Sequence, residues 1–319
     1  DVIETKISTT TKGKFDYAHD NLGRRTAVAK SGEMFNRYGN GTQGLDTTWG
    51  YDDRSQVTSE VTKLGGSGTV LTGRDDAYAF DNIGNRSTAT HNSQLTTYTS
   101  TLLNTYSQRA VPGIFDVAGA AGPGTTVTVN GSNTGVTRHG EYFFKGHGLS
   151  NSPNAVFSTL AVSDGTTTAS IAAFLAGTPE AFAYDDDGNL LSDGRWDYVY
   201  DGENNQISAT TRSALFPSPI PAADARRVEF KYDYQKRRVQ KTVLKRNPGN
   251  TAWVTDTDEK FVYNGWNAIA RLNASSLSLI ASHYWSLDWS GTLQGAGGVG
   301  GLALTVEGGN TYLPMFDGN

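Results

Sequence analysis

Short runs of alternating apolar and polar residues fill most of the chain, and they come in pairs. In YAFDNIGNRSTAT, from Tyr78, aromatic residues stand two apart, Asp81 follows, Gly84 comes three residues later, and a second alternating run begins at once. Alternation with period two points Tyr78 and Phe80 to one face of a strand. The same aromatic spacing recurs at Trp49/Tyr51, Phe182/Tyr184, Tyr198/Tyr200, Phe230/Tyr232 and Phe261/Tyr263. An Asp after a strand opens a turn by accepting backbone N–H groups ahead of it. The residue three further on must then take positive φ, and Gly23, Gly84, Gly188 and Gly291 suit it. Ser55, Asn204, Lys236 and Asn267 fill that position in the other copies. Asn tolerates the left-handed region, Ser and Lys less readily. Each unit is thus predicted to be a strand, a tight turn and a second strand.

The anchors are Asp20, Asp52, Asp81, Asp185, Asp201, Asp233, Asn264, Asp288 (a weaker copy) and Asp317 in the truncated MFDGN. Most stand 29 to 32 residues apart, with steps of 16 and 24 and one gap of 104. A period of that size implies a stacked array. A lone hairpin is marginal in water, but stacked hairpins bury a ladder of aromatic rings and cover one another's edges. The fold class expected is all-β, with hairpins stacked into a long curved or spiralling sheet. Every Tyr, Asp and Gly of the phrase then has a structural role. The rival reading is a sugar-stacking face, which requires Tyr17, Tyr51, Tyr184, Tyr200, Tyr232 and Tyr263 to line an open groove.

Between Gln108 and Thr178 the phrase vanishes. TTVTVNG is a β-branched run ending in an Asn-Gly turn, a hairpin signal. GEYFFKG and AVFSTLAVSDG read as further strands. About five to seven short strands in this stretch suggest a small β-sandwich. The pattern Gly-x-x-x-Pro-Gly-x-x-Val-x-Val-Asn-Gly resembles bacterial immunoglobulin-like modules, without their disulfide or strand-C Trp. The expected organisation is repeats over 1–107, an inserted immunoglobulin-like β domain over 108–178, and repeats continuing over 179–319 of what reads as a fragment of a longer chain. FPSPIPAADARR reads as a Pro-rich extension, NPGNTAWVTDTD as a long hairpin tip, and GAGGVGG as flexible.

Composition narrows the partners. With 37 Gly and 15 Tyr in 319 residues, the chain suits strands and turns. The net charge of −5 argues against a basic face for nucleic acid. No apolar run approaches membrane-spanning length. Cys is absent, which removes disulfide and thiolate chemistry.

Candidate chemistry is sparse. His139 and His147, flanked by Gly and joined by Glu141, are the one cluster with metal-ligand residue types; polar residues on a strand pair and its turn explain them equally. Asp185, Asp187 and Asn189 superficially match a calcium loop, but position 12 is Trp196 where a Glu is needed. GAGGVGG lacks the strand-to-helix setting of a dinucleotide loop. No Gly-x-Ser-x-Gly elbow occurs. The many carboxylates are explained by turns, which leaves a glycosidase pair unsupported. The expectation is a protein that is not an enzyme, with no catalytic residues, no cofactor and no metal.

The phrase aromatic-x-Tyr-Asp-x-x-Gly-Asn/Arg-Arg/Leu resembles the tyrosine–aspartate (YD) repeat of rearrangement-hotspot (Rhs) proteins, related to the B and C components of insecticidal toxin complexes and to teneurins. The resemblance covers roughly 13–106 and 180–319, and YWSLDWSGTLQGAGGVGGLALT is similar to a segment near the end of many Rhs repeat regions. It implies a secreted or cell-surface location and a β shell or scaffold that encloses or presents a C-terminal effector. The partners implied are that effector or neighbouring repeats, with self-assembly; there is no nucleic acid and no membrane span. Many such shells carry an Asp-Pro-x-Gly autoprotease motif; no Asp-Pro pair occurs here, so no self-cleavage is expected. The alternative function is a surface adhesin or carbohydrate-binding module, with cell-surface glycans as partners.

Overall fold

The computed structural model describes residues 1–38 and 44–316, and it is all-β. The only helical elements among the described residues are three short 3-10 turns, Glu33–Tyr38, Ser213–Leu215 and Ala222–Asp224. The chain forms two compact units, Asp1–Phe182 and Ala183–Phe316.

In the first unit, nine strands from Val2–Ile7 to Tyr106–Arg109 pair in sequence order as an antiparallel sheet. A tenth, Glu180–Ala181, returns after the insertion to pair with Arg109 and Gln108. In the second unit, eleven strands from Ala183–Tyr184 to Asn310–Tyr312 again follow sequence order. Such meanders are what consecutive hairpins produce when each pairs with the next. In every tight repeat the register slips by one just beyond the turn: Ala18 faces Ala27 while His19 faces Arg25, and Lys231 faces Gln240 while Tyr232 faces Arg238. A bulge at the same place in each repeat adds local twist and re-aims the side chains beside it.

The insertion forms two three-stranded sheets. Ile114–Ala120, Tyr142–Gly148 and Thr137–His139 make one; Thr128–Val129, Val156–Ser163 and Thr168–Leu175 make the other. Val117, Val127, Val129, Phe143, Leu160, Val162 and Ala173 form one buried cluster contributed by both sheets. The Asn-Gly turn forms, with Asn130 at φ 50° and Gly131 at φ 78°. It closes only a single bridge, Val129 to Ser132, because the Val129 strand pairs instead with Val162 and Ser163.

The strand Tyr142–Gly148 serves two cores. Phe143 enters the sandwich, while Tyr142 and Phe144, on the opposite face, pack with Phe35, Leu45, Leu64 and Leu71 of the repeat sheet. Tyr142 Oη donates to the Thr72 carbonyl at 2.9 Å, and the Glu141 amide donates to the Arg37 carbonyl at 2.8 Å. His91 lies between carboxylates of both parts, 2.7 Å from Asp76 and 2.9 Å from Asp116. Gly73, at φ 83°, lies against the Phe144 ring so closely that a Cβ would come within 2.3 Å of it.

Two segments differ from expectation. NPGNTAWVTDTD contributes only a short tip, since the strand Trp253–Asn264 already begins within it. GAGGVGG is wrapped around a carboxylate, as described next.

Candidate functional site

The element that recurs is the turn. At Asp81, the Ile83 and Asn85 amides donate to Oδ1 at 3.0 and 2.8 Å, the Asn85 side-chain amide donates to Oδ2 at 3.0 Å, and the Gly84 amide donates to the Asp81 carbonyl. Asp20, Asp52, Asp185, Asp201 and Asp233 accept backbone N–H groups from the same two positions. The residue three past the Asp has positive φ at Gly23, Ser55, Gly84, Gly188, Asn204, Lys236 and Gly291.

The Asn264 copy differs: Asn264 pairs directly with Asn267 across a two-residue loop, and Gly265, at φ 59°, takes the left-handed position in place of Asn267. One copy escaped the sequence pattern. Thr101 substitutes its hydroxyl for the carboxylate, accepting the Leu103 and Thr105 amides at 3.2 and 3.3 Å, with Asn104 at φ 60°. The signal was Tyr98 three residues before Thr101 and Asn104 three after it. Asp317 lies outside the described residues.

The carboxylates of Asp20, Asp81, Asp185, Asp201, Asp233 and Asp288 lie below the ordinary carboxylate pKa range. Hydrogen bonds from Arg24, Asn85, Asn189 and Asn205 lower Asp20, Asp81, Asp185 and Asp201, with backbone N–H groups adding to the effect. At Asp233 burial works upward and is outweighed by Arg237 and the backbone amides. Asp288 is the extreme: Ser290 Oγ at 2.5 Å, then the Ala296, Ser290 and Gly298 amides, lower it to about 2. The Gly-rich loop is therefore folded around Asp288.

Neighbouring turns are stitched to one another. Arg24 donates to the Asp52 carbonyl and to Ser55 Oγ, each at 3.2 Å. Arg54 donates to the Asn82 and Asp81 carbonyls at 2.8 Å, and the Asn85 side chain reaches Asn104. In the second unit Asn189 donates to Asn204 at 2.9 Å, Lys236 to the Glu203 carbonyl at 3.2 Å, and Arg237 to the Gly265 carbonyl. Ser55 and Lys236 hold left-handed geometry that suits them poorly, and each makes a side-chain contact with the preceding turn that glycine could not make.

The aromatic ladder is tied in the same way. Tyr17 is buried; Tyr51, Tyr184, Tyr200, Tyr232 and Tyr263 are half-buried. The hydroxyls of Tyr232 and Tyr263 donate to the Gln206 and Arg238 carbonyls of the preceding repeat at 2.8 and 2.9 Å. Guanidinium groups cover the rings, Arg25 over Tyr17 at 4.3 Å and Arg24 over Tyr51 at 4.7 Å. One groove of about 360 Å³ remains on this face, lined by Phe15, Tyr17, Trp49, Tyr51, Arg25, Lys30 and Glu60 among others.

The other candidates come apart. His139 faces Tyr142 in the register and His147 faces Phe115, about 16 Å further along the same strand at roughly 3.3 Å per residue. Glu141 is paired with Arg37 at 3.4 Å. No group of three or more metal-ligating residues occurs among the described residues. Asp185 is engaged by the Asp187 amide and by the Asn189 amide and side chain. Among the described residues no helix is long and apolar enough to cross a membrane.

No family model matches the chain, and no curated protein matches it. Among solved structures, a TcdB2–TccC3–TEV crystal structure aligns with 90% of the chain at 11% identity and TM-score 0.30. A Photorhabdus luminescens Tc holotoxin pore with a TccC3 mutation aligns with 97% at 11% identity and TM-score 0.24. A TcdB2–TccC3 crystal structure aligns with 98% at 10% identity and TM-score 0.22. The chain spans 15, 18 and 20% of those chains. Likenesses of this size carry no argument, and the fold rests on the strand pairing described above.

Proposed function

We propose that the chain is a non-catalytic structural section of an Rhs/YD-repeat protein, part of a secreted or cell-surface β shell or scaffold that encloses or presents a C-terminal effector. The observation that carries this reading is the stitching of turn to turn. The functional-looking side chains of the repeats, Arg24, Arg54, Lys236 and Arg237, are each engaged with a neighbouring repeat. Groups fixed in this way stiffen a wall and leave little to act on a substrate. In the chain's own reading frame, a polypeptide following residue 319 is expected to resist protease while the sheet is intact and to be cut once turn carboxylates are replaced. Equal cleavage in both states would defeat the enclosure reading. Purified protein is expected to show no hydrolytic activity and no self-cleavage; two fragments whose appearance a single Asp or Glu substitution abolishes would overturn that.

A second reading has one observation in its favour. The groove beside Trp49 and Tyr51 combines aromatic rings with Arg25, Lys30 and Glu60, as a glycan-binding adhesin would need. Glycan-array binding lost in Trp49→Ala without a change in melting midpoint would favour it over the scaffold.

A further inference from the structure

His91 ends the strand Arg86–His91, and a two-residue loop, Asn92 at φ 47° and Ser93 at φ 66°, returns the chain to Gln94. Both loop residues are left-handed, as a tight hairpin turn requires. The Asn92 amide donates to the Asp75 carbonyl at 2.7 Å and ties the loop to the preceding strand. His91 is therefore held at a set place, directly opposite Asp76 in the register. Asp116 reaches the same ring from the insertion. It lies on the strand Ile114–Ala120 opposite Gly146, so no side chain stands across from it within its own pair of strands.

The ring is engaged at both nitrogens. Nδ1 stands 2.7 Å from Asp76 Oδ1, and Nε2 stands 2.9 Å from Asp116 Oδ2. A neutral imidazole has one N–H and one lone pair, so it satisfies one carboxylate and turns a lone pair on the other. The imidazolium donates to both, and about 2.7–2.9 Å is the length of such charge-assisted bonds. The other charged groups of this joint are directed elsewhere. Glu60 faces Asp76 from the next strand and accepts the Trp49 indole N–H at 3.0 Å. Arg74, two residues back from Asp76, stands with Asp116 about the Tyr142 hydroxyl. Arg86, at the far end of the His91 strand, covers the Tyr78 ring at 4.7 Å. Lys145 and His147 flank Gly146, on the other face of the insertion's strand from Asp116.

We propose that His91 is a pH-sensitive clasp, which fastens the insertion to the repeat sheet as an imidazolium and lets go of Asp116 when it loses a proton. The remaining proton stays on Nδ1, where the bond is shorter and Asp76 is fixed in the same ladder. The sign follows directly: the bond to Asp116 is present at low pH and is lost as pH rises. Tyr142 and Phe144 keep their own hold on the sheet, so release loosens the joint without detaching the insertion. The clasp operates whether or not the sheet belongs to a shell.

The Glu141 amide reports on the joint, because it donates across it to the Arg37 carbonyl. The test is hydrogen exchange of that amide in the full chain, as a protection factor that removes the intrinsic effect of pH. The range from about pH 5 to about pH 8 spans histidine titration and leaves carboxylates charged. Wild-type protection is expected to fall by roughly two- to fivefold across it, the size expected of a half-exposed ion pair. Asp116→Asn should be poorly protected and flat with pH. His91→Arg, which stays charged throughout, should keep the wild type's low-pH protection at every pH. Long-range proton–nitrogen spectra of the His91 ring should show two N–H groups at the acid end and one at the alkaline end. Several results would overturn the proposal: flat wild-type protection, an Asp116→Asn profile parallel to the wild type, an Arg variant no better protected than Asp116→Asn, or a His91 ring with one proton throughout.

Discussion

The Tyr51 hydroxyl donates to the Arg25 carbonyl at 2.6 Å, joining the last strand residue before one turn to the first strand residue after the preceding turn. Tyr232 to Gln206 and Tyr263 to Arg238 repeat the relationship. The aromatic residue before the Asp is thus more than ring area, since its hydroxyl fixes the spacing between hairpins. Replacing Tyr51 by Phe keeps the ring beneath Arg24 and removes only the bond. The expected cost is about 1 kcal/mol, the usual net value of one intramolecular hydrogen bond. Urea melts of Tyr51→Phe, Tyr232→Phe and the pair should give additive losses, because the two sites share no partner. A midpoint unchanged in all three would show the hydroxyls to be incidental.

Gly84 stands at φ 98°, where a side chain is strained whatever room it has. Gly84→Val should cost roughly 1–3 kcal/mol, since a β-branched residue is the least able to hold left-handed geometry. Gly84→Asn should cost less, because Asn104 and Asn204 already occupy the equivalent position at φ 60°. Equal costs for Val and Asn in denaturant melts would mean that backbone strain does not govern the site.

The hairpin array was legible because three local signals coincide in each copy: aromatic residues two apart, an Asp, and a residue able to take positive φ. Where one signal is missing the pattern fails, and Thr101 is the example. A hydroxyl accepts the same amides as a carboxylate, so the backbone repeats although the letter does not. Asn264 fails the other way, with the right letters and a shorter loop led by Gly265. The stitches between turns were hidden, because Arg24 and Ser55 are 31 residues apart and only the pairing of hairpins brings them together. The fate of Tyr142, Phe143 and Phe144 was hidden for a different reason: alternation puts neighbours on opposite faces but does not say that both faces are buried.

That double burial sets an expectation for excision of the insertion. Replacing residues 111–178 by a short linker leaves Arg109 and Glu180 to pair as they do now, at 2.5 Å. It also exposes Phe35, Leu45, Leu64 and Leu71, which Tyr142 and Phe144 now help to cover. The repeat sheet should fold but melt at markedly lower denaturant. Phe144→Ala in the intact chain should cost about 3–5 kcal/mol, as for other buried aromatic truncations. If excision leaves the midpoint of the repeat sheet unchanged, the packing across this contact contributes nothing.

Acid should weaken the turns together. Asp20, Asp81, Asp185, Asp201, Asp233 and Asp288 all have folded pKa values below the ordinary carboxylate value, reaching about 2 at Asp288. The sign follows from linkage. A carboxylate depressed on folding contributes stability that is fully present above its unfolded value of about 4, and that is lost as pH falls through the folded value. The melting midpoint should therefore be level from neutral pH to about 5 and then fall steeply towards pH 2. Asp288→Asn should lower the midpoint at neutral pH, because a neutral amide is a weaker acceptor for the Ala296 and Gly298 amides and Ser290 Oγ. It should also flatten the acid limb near pH 2, where Asp288 loses its charge in the folded chain. A variant whose midpoint runs parallel to the wild type from pH 5 to pH 2 would mean that Asp288 titrates alike in the folded and unfolded chain, and that the Gly-rich loop is not held by its charge.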